Sequence, residues 1–191
     1  MVATITTTNE RQMVRGAGRE PSGKPEVLCC EDLRKTPLFS GLSDEQLRVI
    51  APPCHRLSAY NGKVLFSKGE ETKEIYILLD GEVCLEEELS PGQHLLPRTI
   101  LVERVGRNGV FGLCALVKPG RAMLTARCTA DANVVAVNAE TLRALIRTHS
   151  AIGLLVLENA FKITYERLML TQHRIITELG LPAMYEAHRN Y

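Results

Sequence analysis

Between positions 54 and 137 the chain breaks into short β-favouring runs with turn residues between them, and this punctuation constrains its fold more than any other feature. Residues 55–60 run into Asn61-Gly62, residues 64–66 into Lys68-Gly69, and residues 74–79 into Asp80-Gly81, after which 82–85 begins a new run. Asn-Gly and Asp-Gly accept the positive φ angles that tight β turns require. Further runs lie at 99–102, 122–128 and 133–137. Strands this short and this frequent satisfy their edges by closing on themselves. The expected fold is therefore mainly β: a double-stranded β-helix, or jelly roll, of about eight strands.

Helical patterns flank the strands on both sides. Residues 31–35 predict a short helix, 36–41 a turn, and 43–50 a second helix, in which Ser43 precedes Gln46 by the spacing of a capping box. Pro52-Pro53 ends it. Asn138 can cap a helix over 139–146, and a longer helix is expected over 151–179, stopped by Gly180 and Pro182. Along that long helix Leu168, Gln172, Ile175, Ile176 and Leu179 recur at helical spacing. Such a stripe either packs on the barrel or forms a two-helix seam between copies, and near Ile175 and Leu179 the seam is favoured. A homodimer through residues 164–179 is the resulting expectation. Residues 1–27, rich in Thr, Gly, Pro and charge, predict a disordered leader; 28–180 one domain; 181–191 a polar tail.

Composition narrows the function classes. At 191 residues, 45% hydrophobic and 24% charged, the chain suits one globular domain. Its 23 Lys and Arg against 22 Asp and Glu provide no general attraction to nucleic acid or anionic lipid. The apolar run at 152–157 meets Glu158 and Lys162 too soon to span a membrane, and MVATITTTNERQ has no secretory pattern, so a cytoplasmic location is expected. The six cysteines, Cys29, Cys30, Cys54, Cys84, Cys114 and Cys128, read as free thiols, with vicinal Cys29-Cys30 either structural or redox-active. Without CxxC or HxxxH no metal site is expected, and His55 and His173 have no partner at a telling spacing for metal or haem. No GxSxG, HExxH, Walker loop or carboxylate pair is present, and Glu86-Glu87-Glu88 reads as a solvated strand end. An enzyme is not expected.

Three segments carry a resemblance. They are Thr36-Pro-Leu-Phe-Ser-Gly-Leu-Ser43; Lys68-Gly69 with Ile75-Tyr-Ile-Leu-Leu-Asp-Gly-Glu-Val83; and Val110-Phe-Gly112 continuing as LCALVKPGRAMLTA. In this order they resemble the cyclic nucleotide-binding domain family, which includes the catabolite activator protein and the regulatory subunit of protein kinase A, over roughly residues 33–180. The resemblance implies a phosphate cassette in which N–H groups at the start of a short helix receive the cyclic phosphate. It also implies a Glu that accepts from the ribose hydroxyl and an Arg that neutralises the phosphate. The ligand-binding candidates are then Gly112, Leu113, Cys114, Ala115, Arg121, Ala122 and Thr125.

Two of these depart from the family pattern. Leu113 stands where the family has Glu, a loss worth about 1–3 kcal/mol for one unsatisfied ligand hydroxyl. Aligning Thr125 with the family's Thr puts Ala122 at the Arg position and Arg121 one residue early. One step along an extended segment reverses the face, unless a bulge near Pro119-Gly120 re-aims the side chain. The expected function is a regulatory sensor with weak or altered specificity, in which a cyclic nucleotide or another small anion moves the C-terminal helices. The alternatives are a degenerate module that dimerises or binds a partner, and a transcription-regulator relative without its helix-turn-helix. With 11 residues after Gly180 no direct DNA binding is expected of this chain.

Overall fold

The computed structural model describes residues 30–89 and 98–178. The leader, Cys29, Leu179 and the tail lie outside the described residues, as does the side chain of Cys30. Helix α1 (Cys30–Arg34), a 3-10 turn at Pro37–Phe39 and helix α2 (Asp44–Ile50) come first. Ser43 caps α2 reciprocally with Gln46: each side chain accepts from the other residue's backbone N–H, at 3.3 and 2.9 Å. Strands follow at β1 (Cys54–Ala59), β2 (Val64–Phe66), β3 (Glu74–Asp80), β4 (Val83–Leu89), β5 (Arg98–Val105), β6 (Val110–Phe111), β7 (Thr125–Cys128) and β8 (Ala132–Asn138). Helices α3 (Ala139–Thr148) and α4 (Ser150–Glu178) close the described chain.

The eight strands form two antiparallel four-stranded sheets, ordered β1-β8-β3-β6 and β2-β7-β4-β5. This is the expected jelly roll. Asp80-Gly81 turns β3 into β4 with Gly81 at φ 92°, and a Cβ there would come within 2.2 Å of the Asp131 carbonyl oxygen, so only glycine fits.

The first sheet has a core on each face. Ile75, Ile77, Val110, Val135 and Val137 pack against α1, α2, α3 and the start of α4. Tyr76, Leu78, Phe111, Val134 and Ala136 point the other way, against Val83, Leu85, Ala126 and Cys128 of the second sheet. That double burial explains why β3 and β8 are continuous apolar runs, whereas Glu86, Glu88 and Arg127 on the second sheet reach the outside. Phe66, Tyr76 and Phe111 cluster in the roll, with ring centroids 5.3–6.2 Å apart.

Strand boundaries differ from expectation where packing outweighs composition. The run 122–128 is strand only from Thr125, because Ala122 pairs with the loop after β2 instead: its N–H donates to the Glu70 carbonyl at 2.9 Å and its carbonyl accepts from Gly69 at 2.7 Å. The two-residue strand β6 carries no sequence signal of its own. It exists because Tyr76 and Ile77 of β3 stand opposite Phe111 and Val110.

Candidate functional site

The cassette begins where β6 ends. Gly112 takes φ 75°, turning the chain from the sheet edge into a 3-10 helix at Leu113–Leu116. A Cβ on Gly112 would sit 3.0 Å from the Glu74 carbonyl and 3.4–3.5 Å from the Tyr76 and Phe66 rings, so the turn lies directly on the aromatic cluster. Above it, the Tyr76 hydroxyl donates to Glu74 Oε2 at 3.0 Å; burial, with the Glu74 charge beside it, pushes that hydroxyl's pKa upward. Ala115 is buried in the helical core and its N–H donates to Gly112 at 3.0 Å, so this amide is already used. Leu113 is half-buried and packs against the same core, which contains α3 and the start of α4.

Two side chains from outside the cassette hold its shape. Thr72 is buried and donates through both N–H and hydroxyl to the Gly120 carbonyl, at 2.9 and 2.8 Å. Its hydroxyl oxygen is then left to accept from the Cys114 thiol at 3.1 Å. Arg143 of α3 donates to the Ala115 carbonyl near the far end of the cassette helix. Gly120 lets the loop return this closely, since a Cβ there would lie 2.7 Å from the Cys114 carbonyl.

Past Gly120, alternate residues take opposite directions. Arg121 is exposed and donates to the Gly69 carbonyl at 3.0 Å, Ala122 is buried inside the roll, and Met123 is 75% exposed. Thr125 is half-buried on β7, where its hydroxyl accepts from the Lys68 N–H at 3.1 Å. The structure thus brings Gly112, Leu113, Cys114 and Ala115 together as one turn. Arg121 and Thr125 are each engaged by the loop after β2.

Sequence reading did not single out the contacts between α4 and the roll. Both sheets end there in an open edge: β6 for the first, β5 for the second. Arg167 reaches both, donating through Nη2 to the Val110 carbonyl and through Nε to Glu103 Oε1 at 3.1 Å. Seven residues on, Arg174 donates to the Val102 carbonyl at 2.7 Å. Val102 lies within a β bulge, between Leu101 opposite Glu86 and Glu103 opposite Leu85. A groove of about 380 Å³ between α4 and β5 is lined by Arg104, Arg167, Leu170 and Arg174 among others. The seven-residue spacing of Arg167 and Arg174, placing both on one helix face, was the available signal.

Comparison with known proteins settles what this roll is. Residues 56–149 match the family model of the cyclic nucleotide-binding domain. This part of the chain belongs to the cyclic nucleotide-binding domain family. Among solved structures, a Geobacter metallireducens protein assigned to the cyclic nucleotide-binding proteins is 29% identical, with a TM-score of 0.62, covering 74% of this chain and 98% of its own. The catabolite activator protein of Thermus thermophilus is 28% identical with a TM-score of 0.59; the match covers 80% of this chain and 65% of that one. The regulatory domain of Toxoplasma gondii protein kinase A, solved with cyclic AMP, shares the fold at 21% identity and a TM-score of 0.51, over 60% of this chain and 42% of that one. No curated protein sequence matches the chain significantly.

Within this cyclic nucleotide-binding domain Gly112 begins the turn, Leu113 packs against the helical core and Ala122 is buried inside the roll. No described helix is long and apolar enough to cross a membrane.

Proposed function

We propose that this chain is a regulatory domain whose pocket binds cyclic AMP and cyclic GMP weakly or not at all, and whose output is α4. The observation that carries the reading is the triplet Arg121 out, Ala122 in, Met123 out. It leaves a methyl group where the resemblance calls for the phosphate's cation. A small anion of different shape remains the effector class that the cassette turn and an inward swing of Arg121 would favour. Leu113 and the Arg121–Gly69 bond favour a second reading, a module that acts through protein contacts alone.

The outward face of α4 supports a homodimer. Leu154, Phe161, Leu168 and Ile175 recur every seven residues and all are exposed, with Phe161 at 73% and stacked on Tyr165 at 6.3 Å between ring centroids. A strict seven-residue apolar repeat matches a partner helix of the same period, for which a second copy of α4 qualifies. Leu168→Glu with Ile175→Glu is expected to give monomers in light scattering, and an unchanged dimer would place the interface elsewhere.

Calorimetry with cyclic AMP and cyclic GMP tests the pocket. Micromolar binding by the native chain would refute the weakened-pocket reading. If Leu113→Glu creates binding that Arg121→Ala then removes, the arginine can swing to the phosphate and only the ribose acceptor was missing. If no variant binds, the protein-contact reading stands.

A further inference from the structure

The second half of α4 is fastened to the roll by polar groups where the edge strands β6 and β5 of the two sheets lie. Ile77 of β3 and Val110 of β6 stand opposite each other, while the flanking bonds between β3 and the chain ahead of β6 run from the Leu78 N–H to the Gly109 carbonyl and from the Asn108 N–H to the Leu78 carbonyl. The alternation of an antiparallel ladder therefore turns the Val110 carbonyl away from β3. An edge carbonyl beside a buried residue needs a partner, and Arg167 supplies it. The same guanidinium sets two nitrogens against one oxygen of Glu103, at 3.0 and 3.1 Å, with the two side chains 28% and 32% exposed. One planar fork thus joins the edge of one sheet, the edge of the other and α4. A lysine, with one point charge, would not match this geometry.

We propose that Arg167 is a built-in latch: it holds residues 161–178 of α4 against the open side of the roll without any effector, and its release frees that segment. The proposal rests on the reading of α4 as the output element, but the latch itself is testable without ligand. Three further observations support it. Ile152, Gly153, Val156 and Ala160 are the fully buried residues of α4 among those described, and past Ala160 only the half-buried Ile163 still packs against the helical core, so apolar burial fades at the start of the second half. Arg174 adds a second, more exposed tie, to the carbonyl in the β5 bulge. Val110 directly precedes Phe111 and the Gly112 turn, so the latch grips the strand that leads into the cassette. The second half of α4 is thereby joined directly to the strand that ends in the turn.

Amide hydrogen exchange on the full chain, without ligand, tests the latch in the native protein, Arg167→Ala, Arg167→Lys and Glu103→Gln. Each is also made in the Leu168→Glu, Ile175→Glu background, so that a second copy does not protect the helix. Arg167→Ala is expected to raise exchange over 161–178 and at Val110 and Phe111 by about tenfold or more, while 150–160 and strands β3 and β8 stay as in the native protein. Arg167→Lys should recover part of the protection, and Glu103→Gln, which keeps an acceptor but loses the charge, should fall between. Unchanged exchange over 161–178 in Arg167→Ala overturns the proposal. So does a rise spread evenly over the whole chain, which would mean a general structural role. Neither result depends on cyclic nucleotide binding, so failure of the latch and failure of the proposed pocket are read separately.

Discussion

The two halves of α4 are one continuous helix held to the same barrel by different physics. Over 150–160 it inserts Ile152, Val156 and Ala160 into a core shared with α1, α2 and α3, and Asn159 donates to the Leu38 and Ser40 carbonyls at 3.1 and 2.9 Å. Gly153 lets α3 approach: a Cβ there would meet the Ile146 carbonyl at 2.5 Å. Over 161–178 two arginines bond edge carbonyls, while Phe161, Leu168 and Ile175 face outward. Burial of apolar surface is non-directional and is lost only when the core opens. Guanidinium bonds such as those of Arg167 to one carbonyl and one carboxylate, and of Arg174 to one carbonyl, can be displaced by water or by a competing anion without opening the core. The first half is an anchor and the second is suited to move.

The largest contrast should come from placing a charge on each half. Val156→Asp buries an unpaired carboxylate and is expected to cost about 3 kcal/mol or more, lowering the thermal midpoint by about 10 °C. Phe161→Asp, on an exposed position, should stay within about 0.5 kcal/mol for the monomer. Equal losses in calorimetric melts would erase the distinction between the halves.

A smaller effect follows from pH. Cys54 packs against the anchoring core and donates to the Ile50 carbonyl at 3.3 Å; burial pushes its thiol up to about 12 from an ordinary value near 9. The folded state holds that proton more tightly than the unfolded chain. Its contribution is therefore full below about pH 9 and lost progressively as pH rises toward 12. At pH 10 the loss should be about 1 kcal/mol, absent in Cys54→Ala, as read from urea midpoints against pH. Exchange in 150–160 should respond to this titration before exchange in 161–178. The reverse order would mean that the arginine-held half senses the core as well.

The smallest expected effect is that of Arg174→Ala. It removes one bond to an exposed edge carbonyl, where water takes its place, and should cost under about 0.5 kcal/mol globally. Local exchange near the end of α4 should still rise a few-fold. A global loss above 1 kcal/mol would show that the second half is integrated into the fold after all.

What was legible in the sequence was local. Asn61-Gly62 and Asp80-Gly81 announced turns because positive φ is a property of single residues, and Gly62 and Gly81 do adopt it. Ser43 with Gln46, and Asn138 ahead of the helical pattern at 139–146, announced helix starts because a cap reaches only three residues along the chain, as Ser43 does to Gln46 and Asn138 to Thr141. The cassette turn was recognisable for the same reason, since Gly112 and its successors are contiguous.

The tertiary structure alone decided what depends on partners distant in the chain. Whether Arg121 pointed inward rested on the ladder between 69–72 and 120–122, and no local rule states that register. The burial of Leu113 depended on where α3 and α4 come to rest. Arg167 lies 64 residues from Glu103 and 57 from Val110. By itself the sequence determined the turns, caps and alternation that make a roll, because each is an energy of neighbouring residues. Assigning Arg167 to the open edges of two sheets required those sheets to exist first, since an edge carbonyl has no address until its strand has been paired on the other side.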